Sequence, residues 1–542
     1  MKAEMLGSAA FRARHGTRLA YMSGSMAFGI ASEALALAMS RAGLLASFGA
    51  AGLELDRVKA AIAAMRVAIP PARLCVNLIH SPDQPERERQ LVDLLLAEGV
   101  SVVEASAFMQ PTEALVLYRA RGARLASSGA EAARRVIAKV SRREVAEWFL
   151  RPPPARMLAE LTRQGALSAD EARAAALSPL ADDITVEADS AGHTDNQSLV
   201  CAFPAILALR GEVAREFPAA AAVGIGAAGG LGTPAALAAA FAMGADYAVT
   251  GSINQACVES GASDVARGML ARAEPQDVAM APAADMFEIG ARVQVLKRGT
   301  MFGPRAQFLG ELYRRVGDLD ALTPAERKRV ETQILGASID EVWAMTEAFW
   351  RKRDPAVLAA AAADPKRRMS LVVRWYLGLS THWALDGAAD RALDYQIWCG
   401  PAMGAFNAWA RGGAFESPAS RSAPAIAQAL MDGAAALLGR FGEPSAASAT
   451  ALATDAPPSE YPREPGDFKA WLIAEVARQF KTPTREIDPT RRFEQLESEH
   501  AAKLDLLPPI ERKLGRKLSP TLLWNHPDID SLSNRLSPAD AG

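Results

Sequence analysis

The stretch that decides the fold covers residues 223–252 and reads VGIGAAGGLGTPAALAAAFAMGADYAVTGS. It opens on a short apolar run that ends at Gly229-Gly230, and an Ala-rich segment with helical character follows. A second apolar run, residues 247–250, ends at Gly251-Ser252. The stretch therefore predicts two strands joined by a helix, with both strands ending in glycine-containing turns at the same edge of a sheet.

These two turns indicate a phosphate site. Glycine lacks a Cβ, so backbone N–H groups in such turns can converge on a phosphate. In a βα barrel, phosphate-bearing ligands are held after the seventh and eighth strands. The simpler interpretation is that the glycines only form tight turns, and a single Gly-Gly pair would favour it. Two such turns, one strand apart, favour a phosphate site.

Composition narrows the class of protein. With 542 residues, of which 50% are hydrophobic, the chain is expected to form more than one domain with a large core. The net charge of −2 gives no general attraction to nucleic acid or to an anionic membrane. The four cysteines lack metal-ligand spacing, and no apolar segment has the length of a signal core or a membrane span. We expect a soluble, cytoplasmic protein with reduced thiols and with neither nucleic-acid nor membrane partners.

Strand-like and helix-like segments alternate from the start of the chain. The first six predicted strands cover residues 19–22, 44–48, 74–78, 102–105, 136–140 and 184–188. The opening stretch contributes the seventh and the eighth. Eight strands, each with a helical partner, predict an α/β fold of the (β/α)8 TIM-barrel type. A doubly wound sheet is the alternative, but it rarely reaches eight regular repeats.

Residues near the strand ends of a barrel face one pocket. The residues expected there are Met26, Asn77, Lys139, His193, Gly229 and Gly251. His193 is the best candidate for acid–base chemistry, because its loop follows strand six and an imidazole there can reach the barrel mouth. No metal-ligand cluster and no Gly-x-Ser-x-Gly motif of a hydrolase is present.

The alternation stops after residue 252. Residues 285–394 are basic and aromatic, and they are predicted to be largely helical, as an insert or lid. Residues 369–383 and 394–409 hold many of the aromatic side chains, which favours either a packed helical core or a wall over the barrel mouth that shapes a long acyl channel. Residues 443–462 are rich in Ala, Ser and Pro, and predict a flexible linker before a small all-α module.

The predicted organisation therefore has four parts. A barrel with closing helices takes residues 1–254 and 395–442, and the helical insert takes residues 255–394. The linker follows, and the C-terminal module takes residues 463–542.

Several motifs carry a resemblance to a known family. They are YMSGSMAFGIASEALALAMSRAGLLASFGAAG, CVNLIH, VEADSAGHTDN, the later part of the opening stretch, and DYQIWCGPAMGAFNAW. Over residues 18–440 the chain resembles the trans-acting enoyl reductases of polyketide synthases and the PfaD-type proteins of polyunsaturated fatty acid synthases. Both are relatives of nitronate monooxygenases (2-nitropropane dioxygenase-like proteins) and of FMN-dependent enoyl reductases. VQVLKRGTMF, RWYLG and QIWCGPAMGAFN are more specific to the polyketide branch.

The resemblance implies an FMN barrel that reduces α,β-unsaturated acyl thioesters held on acyl carrier protein domains of a polyketide synthase. NAD(P)H, as NADPH or NADH, gives hydride to flavin N5; the hydride passes to the β-carbon and a proton goes to the α-carbon. A homo-oligomer is compatible with this assignment. The alternatives are a nitronate monooxygenase-type flavin oxygenase and a non-catalytic scaffold that recruits synthase modules. Ser25 stands where the oxygenases usually have proline, which weakens the first alternative.

The resemblance also implies site residues. His193 would be catalytic, as a donor to the thioester oxygen or as the proton source. The implied FMN-binding residues are Ser25, Met26, Ala27, Asn77, Lys139, Gly192, Ala228, Gly229, Gly230, Gly251 and Ser252.

The tail, FEQLESEHAAKLDLLPPIERKLGRKLSPTLLWNHPDIDSLSNRL, is similar to an acyl carrier protein. Carrier proteins have Gly-x-Asp-Ser where this chain has Glu497-Ser498-Glu499-His500. His500 thus replaces the serine that takes phosphopantetheine, so the module is predicted not to be loaded. Docking to a synthase, self-association and an inert vestige remain the alternatives for its role.

Overall fold

The computed structural model describes residues 1–82, 84–127, 129–441, 465–500, 505–515, 518 and 522–536. The chain divides into two compact units, Met1–Pro444 and Ser445–Gly542. The predicted linker, residues 443–462, lies outside the described residues.

The first unit contains a closed barrel of eight parallel strands. The strands are β1 (Tyr21–Ser23), β2 (Leu45–Phe48), β3 (Leu74–Ile79), β4 (Val102–Ser106), β5 (Arg135–Val140), β6 (Asp183–Glu187), β7 (Gly224–Ala228) and β8 (Tyr247–Thr250). Each strand pairs with its neighbours in sequence order, and β1 closes the ring by pairing with β8. The predicted TIM barrel is therefore confirmed, and its eight predicted strands agree with these to within two residues at most ends.

The barrel forms because its strands are nearly continuous apolar runs that are buried on both faces, as parallel strands require. The helices that cover them are Glu33–Arg41, Leu55–Arg66, Pro85–Ala97, Glu113–Ala120, Arg143–Leu150, Leu199–Glu216 and Pro234–Ala242, with Ala155–Arg163 and Ala169–Ala175 before β6. Side-chain caps set their starts: Ser32 accepts a hydrogen bond from the Leu35 N–H at 3.1 Å, and Thr112 accepts one from the Leu115 N–H at 3.2 Å.

The N-terminal helix Ala9–His15 packs at the amino-terminal end of the strands. Its Phe11 ring stacks on Tyr247 of β8, with 4.2 Å between the ring centroids. Its last residue, His15, contacts the fully buried carboxylate of Asp183 on β6. This helix therefore covers the barrel end that lies opposite the strand termini predicted to form the site.

Within the insert, the helix Asp264–Leu270 is followed by two paired strands. Val278–Pro282 and Arg292–Leu296 pair antiparallel, and we call these two strands the ribbon. The second ribbon strand also pairs with Gly192–His193, through Val293↔His193 and Gln294↔Gly192. The prediction that residues 285–394 are largely helical was therefore wrong for Arg292–Leu296. These residues form the central strand of a three-stranded sheet, and all of them but Arg292 are buried there, which fixes them as a strand.

The rest of the insert is helical and has its own core. Its helices are Phe302–Arg315, Pro324–Arg329, Ile339–Arg353, Pro355–Ala363 and Pro365–Asp386, with a π-helical turn at Val330–Leu335. Phe302, Leu309 and Tyr376 belong to a buried cluster separate from the barrel core, and Trp383 packs against both clusters. The chain then returns to the barrel through Ala402–Ala410 and Ala423–Phe441. The exact boundaries proposed for the insert stay a prediction.

The second unit is helical in its described residues. Its helices are Pro465–Phe480, Phe493–His500, Leu507–Leu514, Leu522–Asn525 and Ile529–Leu536, and they surround a core of their own. The side chains of residues 497–500 lie outside the described residues, so the loss of the phosphopantetheine serine stays a prediction from sequence. Within the described part of the chain, no helix is long and apolar enough to cross a membrane.

Candidate functional site

A polar cluster lies at the carboxyl ends of β3 to β6. Asn77 is 3% exposed, and its side-chain amide donates to the Glu104 carbonyl and to Ser106 Oγ, both at 3.0 Å. Lys139 Nζ forms an ion pair with Glu187 Oε1 at 3.0 Å. Asn77 and Glu104 are direct partners in the strand register. The structure thus brings Asn77 and Lys139 to one end of the barrel, as the sequence predicts.

Glu104 is the residue of this cluster that the sequence analysis missed. It is fully buried, and its Oε2 accepts a hydrogen bond from the Ser25 N–H at 2.8 Å. Its Oε1 is buried and has no hydrogen-bond partner among the described residues. A buried carboxylate oxygen without a donor is costly, so this atom indicates a position where a ligand could supply one. The sequence did contain one sign of its importance, because Glu104 is a single charged residue inside the apolar run of β4.

Glu104 also acts on the charge of Lys139. Burial alone would lower the pKa of Lys139, but the carboxylates of Glu187 and Glu104 outweigh it and raise the pKa to about 12. Lys139 therefore stays protonated across the neutral range. It can donate hydrogen bonds to a polar or anionic ligand at the barrel mouth.

The predicted segment Ser25-Met26-Ala27 follows β1 and is partly exposed at the same end of the barrel. The Met26 carbonyl accepts the Ala31 N–H at 3.1 Å and packs directly on Gly49. Any Cβ at Gly49 would overlap this carbonyl, so only glycine permits the contact. The segment is thereby held against the loop after β2.

The two glycine turns adjoin because β7 pairs with β8. Gly229 has a φ of +89°, and a Cβ there would lie 2.8 Å from the Ala188 carbonyl carbon, so the turn requires glycine. A Cβ at Gly230 or at Gly251 would instead meet no atom within 4 Å. The turns therefore face open space. Ser252 stands beside them, and its Oγ accepts the Gly400 N–H at 3.2 Å.

Ala228 has a different place from these glycines. It is buried, and its carbonyl accepts the Ala188 N–H at 3.0 Å within the barrel. Ala228 could therefore contribute to ligand binding only indirectly, by positioning the Gly229-Gly230 turn that follows it.

His193 lies on the short strand that joins the ribbon. Its Nε2 is 3.1 Å from Asp285 Oδ1, and its side chain is 53% exposed. The hydrogen bond with Asp285 raises the pKa of His193, against the opposing effect of burial. Gly192 precedes it with a φ of +74°, and a Cβ there would lie 3.8 Å from the Trp398 ring. The sequence could indicate His193, but it held no sign of Asp285.

The loop that leads to His193 is held by two returning segments. The Gln294 side-chain amide donates to Asp189 Oδ1 and to the Ser190 carbonyl, both at 2.7 Å. Gly400 packs on the backbone of Ser190 and Ala191. Ser190 Oγ and Trp398 Nε1 are buried, and neither has a hydrogen-bond partner among the described residues. Two more polar atoms near the loop are thus left for a ligand or for water.

These observations fit FMN, the group that the resemblance implies. Open space in front of Gly230 and Gly251 suits a phosphate, while the free Glu104 oxygen suits an N–H donor and Lys139 suits a polar acceptor. Among the described residues, no group of three or more His, Cys, Asp or Glu side chains could hold a metal ion.

Comparison with known proteins identifies relatives of this architecture. Residues 316–395 match the family described as acyl-carrier-protein S-malonyltransferase, inserted helical domain. The chain is 45% identical over 428 residues to a polyunsaturated fatty acid synthase polypeptide of Thraustochytrium sp., covering 78% of this chain and 29% of that protein. It is 41% identical over 438 residues to polyketide biosynthesis protein PksE of Bacillus subtilis, covering 80% of this chain and 57% of PksE. The chain therefore spans well under two thirds of either curated relative.

A solved structure matches more completely. The enoyl reductase domain of MlnA, from the macrolactin biosynthesis cluster of Bacillus amyloliquefaciens, superimposes with a TM-score of 0.78 at 34% identity. The match covers 81% of this chain and 99% of that domain. Fold and site define a (β/α)8-barrel protein with a polar, glycine-lined mouth and a helical insert. The chain belongs to the enoyl reductase family of polyketide and polyunsaturated fatty acid synthases.

Proposed function

We propose that the chain is an FMN-dependent enoyl reductase that uses NAD(P)H to reduce α,β-unsaturated acyl thioesters on acyl carrier protein domains. The observation that carries the proposal is the match to nearly the whole MlnA reductase domain. The placement of the motif residues at one end of the barrel supports it. When bound, FMN would supply the hydride-transfer chemistry.

The glycine turns and the polar cluster would hold the cofactor. Gly229, Gly230, Gly251 and Ser252 would bind the phosphate through backbone N–H groups and the serine hydroxyl. The segment Ser25-Met26-Ala27, with Asn77, Lys139 and Gly192, would bind the ring and ribityl parts. Glu104 holds the Ser25 backbone by accepting its N–H. Lys139 stays protonated at neutral pH and can therefore donate hydrogen bonds to the cofactor.

His193 would act on the substrate. Reduction at the β-carbon places negative charge on the thioester oxygen and the α-carbon, so a donor beside them lowers the barrier. A protonated His193 can donate to the oxygen or give its proton to the α-carbon. Its raised pKa increases the protonated fraction at neutral pH, and its half-exposed side chain can regain a proton from water. The same role makes His193 the residue whose removal should cost most turnover.

The proposal is tested on the purified full chain. We expect a flavin absorbance spectrum and NADPH consumption that depends on an enoyl thioester such as crotonyl-pantetheine. Oxygen uptake with a nitronate, without enoyl turnover, would instead support a nitronate monooxygenase. A colourless protein that reconstitutes with no flavin would support a scaffold.

Gly251→Asp is expected to weaken FMN binding by on the order of 10²-fold, because a carboxylate would occupy the open space next to the phosphate. The fold should be retained, since a Cβ at Gly251 meets no atom within 4 Å. Fluorescence titration with FMN measures the affinity, and circular dichroism checks the fold.

Gly317→Asp is the matched control. Gly317 also has open space around its Cβ position and lies in the insert, so its variant should bind FMN like the wild type. If the Gly251→Asp variant binds FMN with wild-type affinity, Gly251 is not part of the cofactor site.

A further inference from the structure

The partner of His193 comes from a distant part of the chain. Asp285 follows the first ribbon strand, Val278–Pro282, and its Oδ1 lies 3.1 Å from His193 Nε2. Both side chains remain more than half exposed. The carboxylate thus reaches the histidine from the insert, not from the barrel loops.

The ribbon holds the backbone of the same histidine. Val293 of the second ribbon strand is the register partner of His193. The next residue, Gln294, donates to Asp189 and to Ser190, which lie in the loop that leads to His193. The histidine backbone and its carboxylate partner therefore belong to one three-stranded sheet and its connecting loop, which limits their relative movement.

The far side of this connecting loop is also fixed. Glu288, three residues after Asp285, accepts two hydrogen bonds from Arg374, at 2.7 and 3.0 Å. Arg374 lies on the insert helix Pro365–Asp386, and Phe287 packs into the insert core. Asp285 is therefore carried on a loop that is anchored at both ends.

We propose that Asp285 is a positioning residue for His193: it binds Nε2, so that Nδ1 is the ring nitrogen that exchanges a proton with the substrate. This inference rests on the proposed enoyl reductase function for its substrate. In the described part of the chain, no hydrogen-bond partner is found for Nδ1. The insert would then supply the carboxylate partner of a histidine that follows a barrel strand.

The charges around the pair give the sign of the pH dependence. His193 faces Asp285 and, at longer range, Glu187, which is itself paired with Lys139; Arg374 acts on Asp285 from the insert helix. The Asp285 hydrogen bond raises the pKa of His193, so the protonated donor survives to higher pH. Activity should fall as the pH rises through this pKa. Without the carboxylate the same fall should occur at lower pH.

The experiment compares Asp285→Asn with Asp285→Glu in the full-length, FMN-loaded chain. We expect kcat of the Asn variant to fall several-fold at about pH 8 and to approach the wild-type value near pH 6, with KM changed less than about twofold. The alkaline limb of its kcat profile should move to lower pH, and the Glu variant should restore it. Asp340→Asn, which removes an insert carboxylate that is 86% exposed, is the control and should leave the profile unchanged.

NMR of histidine rings labelled with ¹³C gives a readout that does not depend on turnover. The His193 signal, assigned by its loss in His193→Ala, should titrate at lower pH in Asp285→Asn than in the wild type. An unchanged titration midpoint and an unchanged kcat profile would overturn the inference. If the titration midpoint of His193 shifts but the chain reduces no enoyl thioester, the Asp285–His193 pairing is supported and the proposed function is overturned instead.

Discussion

His193→Ala is expected to lower kcat for an enoyl thioester about 10²–10⁴-fold, the usual contribution of a positioned general acid. The loss follows because the side chain that pairs with the ring is Asp285, and a carboxylate cannot replace an imidazolium as a donor at neutral pH. FMN content should be unchanged, since His193 lies outside the two glycine turns. Steady-state NADPH oxidation and the flavin absorbance of the same sample measure both quantities.

His382→Ala is the control for this variant. His382 is exposed on the insert helix and contacts the edge of the Phe28 ring, with 5.1 Å between the ring centroids. Its removal should leave kcat within about twofold of the wild type. Full turnover in a flavin-loaded His193→Ala enzyme would exclude His193 as the acid.

The second large effect concerns stability. Asp183→Ala is expected to lower the free energy of unfolding of the barrel by about 3–5 kcal/mol, the cost of removing one partner of a buried charge pair. Asp183 is fully buried, and its two oxygens bind Arg14 and His15. His15 Nε2 lies 2.8 Å from Asp183 Oδ2, and the imidazole is fully buried, so the alanine variant leaves it without this partner. The N-terminal helix would lose its main polar attachment to β6.

Guanidinium unfolding followed by tryptophan fluorescence measures the loss. Asp170→Ala is the comparison, because Asp170 is 80% exposed and pairs with the exposed Arg173. Its removal should change stability by no more than about 0.5 kcal/mol. If both variants unfold at the same denaturant concentration as the wild type, Asp183 does not hold the helix.

The fold was predictable because its signals are local. A run such as LCVNLI in β3 is apolar on both faces, and a turn and a helical segment follow it, so the period and length of each element are visible in the sequence. Because β7 and β8 are consecutive parallel strands, the sequence also predicted that Gly229 and Gly251, which follow them, lie close together. The position of His193 was predictable for the same reason, since its loop follows β6 directly, whereas its catalytic role stays a prediction.

The missed residues depend on pairing between distant segments. Asp285 is 92 positions from His193, and no local pattern reports that separation. Arg292–Leu296 did carry a signal, because Val293 and Val295 alternate with Arg292 and Gln294 with the period of a strand. The prediction instead grouped these residues with the helical stretch that follows them. Glu104 likewise stood alone within an apolar strand, where a buried charge requires a partner.

The pairing of the ribbon with Gly192–His193 decides how this chain can be divided or recombined. The His193 loop and the insert share one sheet, so their sequences must be inherited together for the register Val293↔His193 to survive. A chimaera that takes its insert from a relative should therefore also take residues 189–196. A shortened barrel without residues 278–396 would keep its eight strands but lose the ribbon and Asp285, which hold His193.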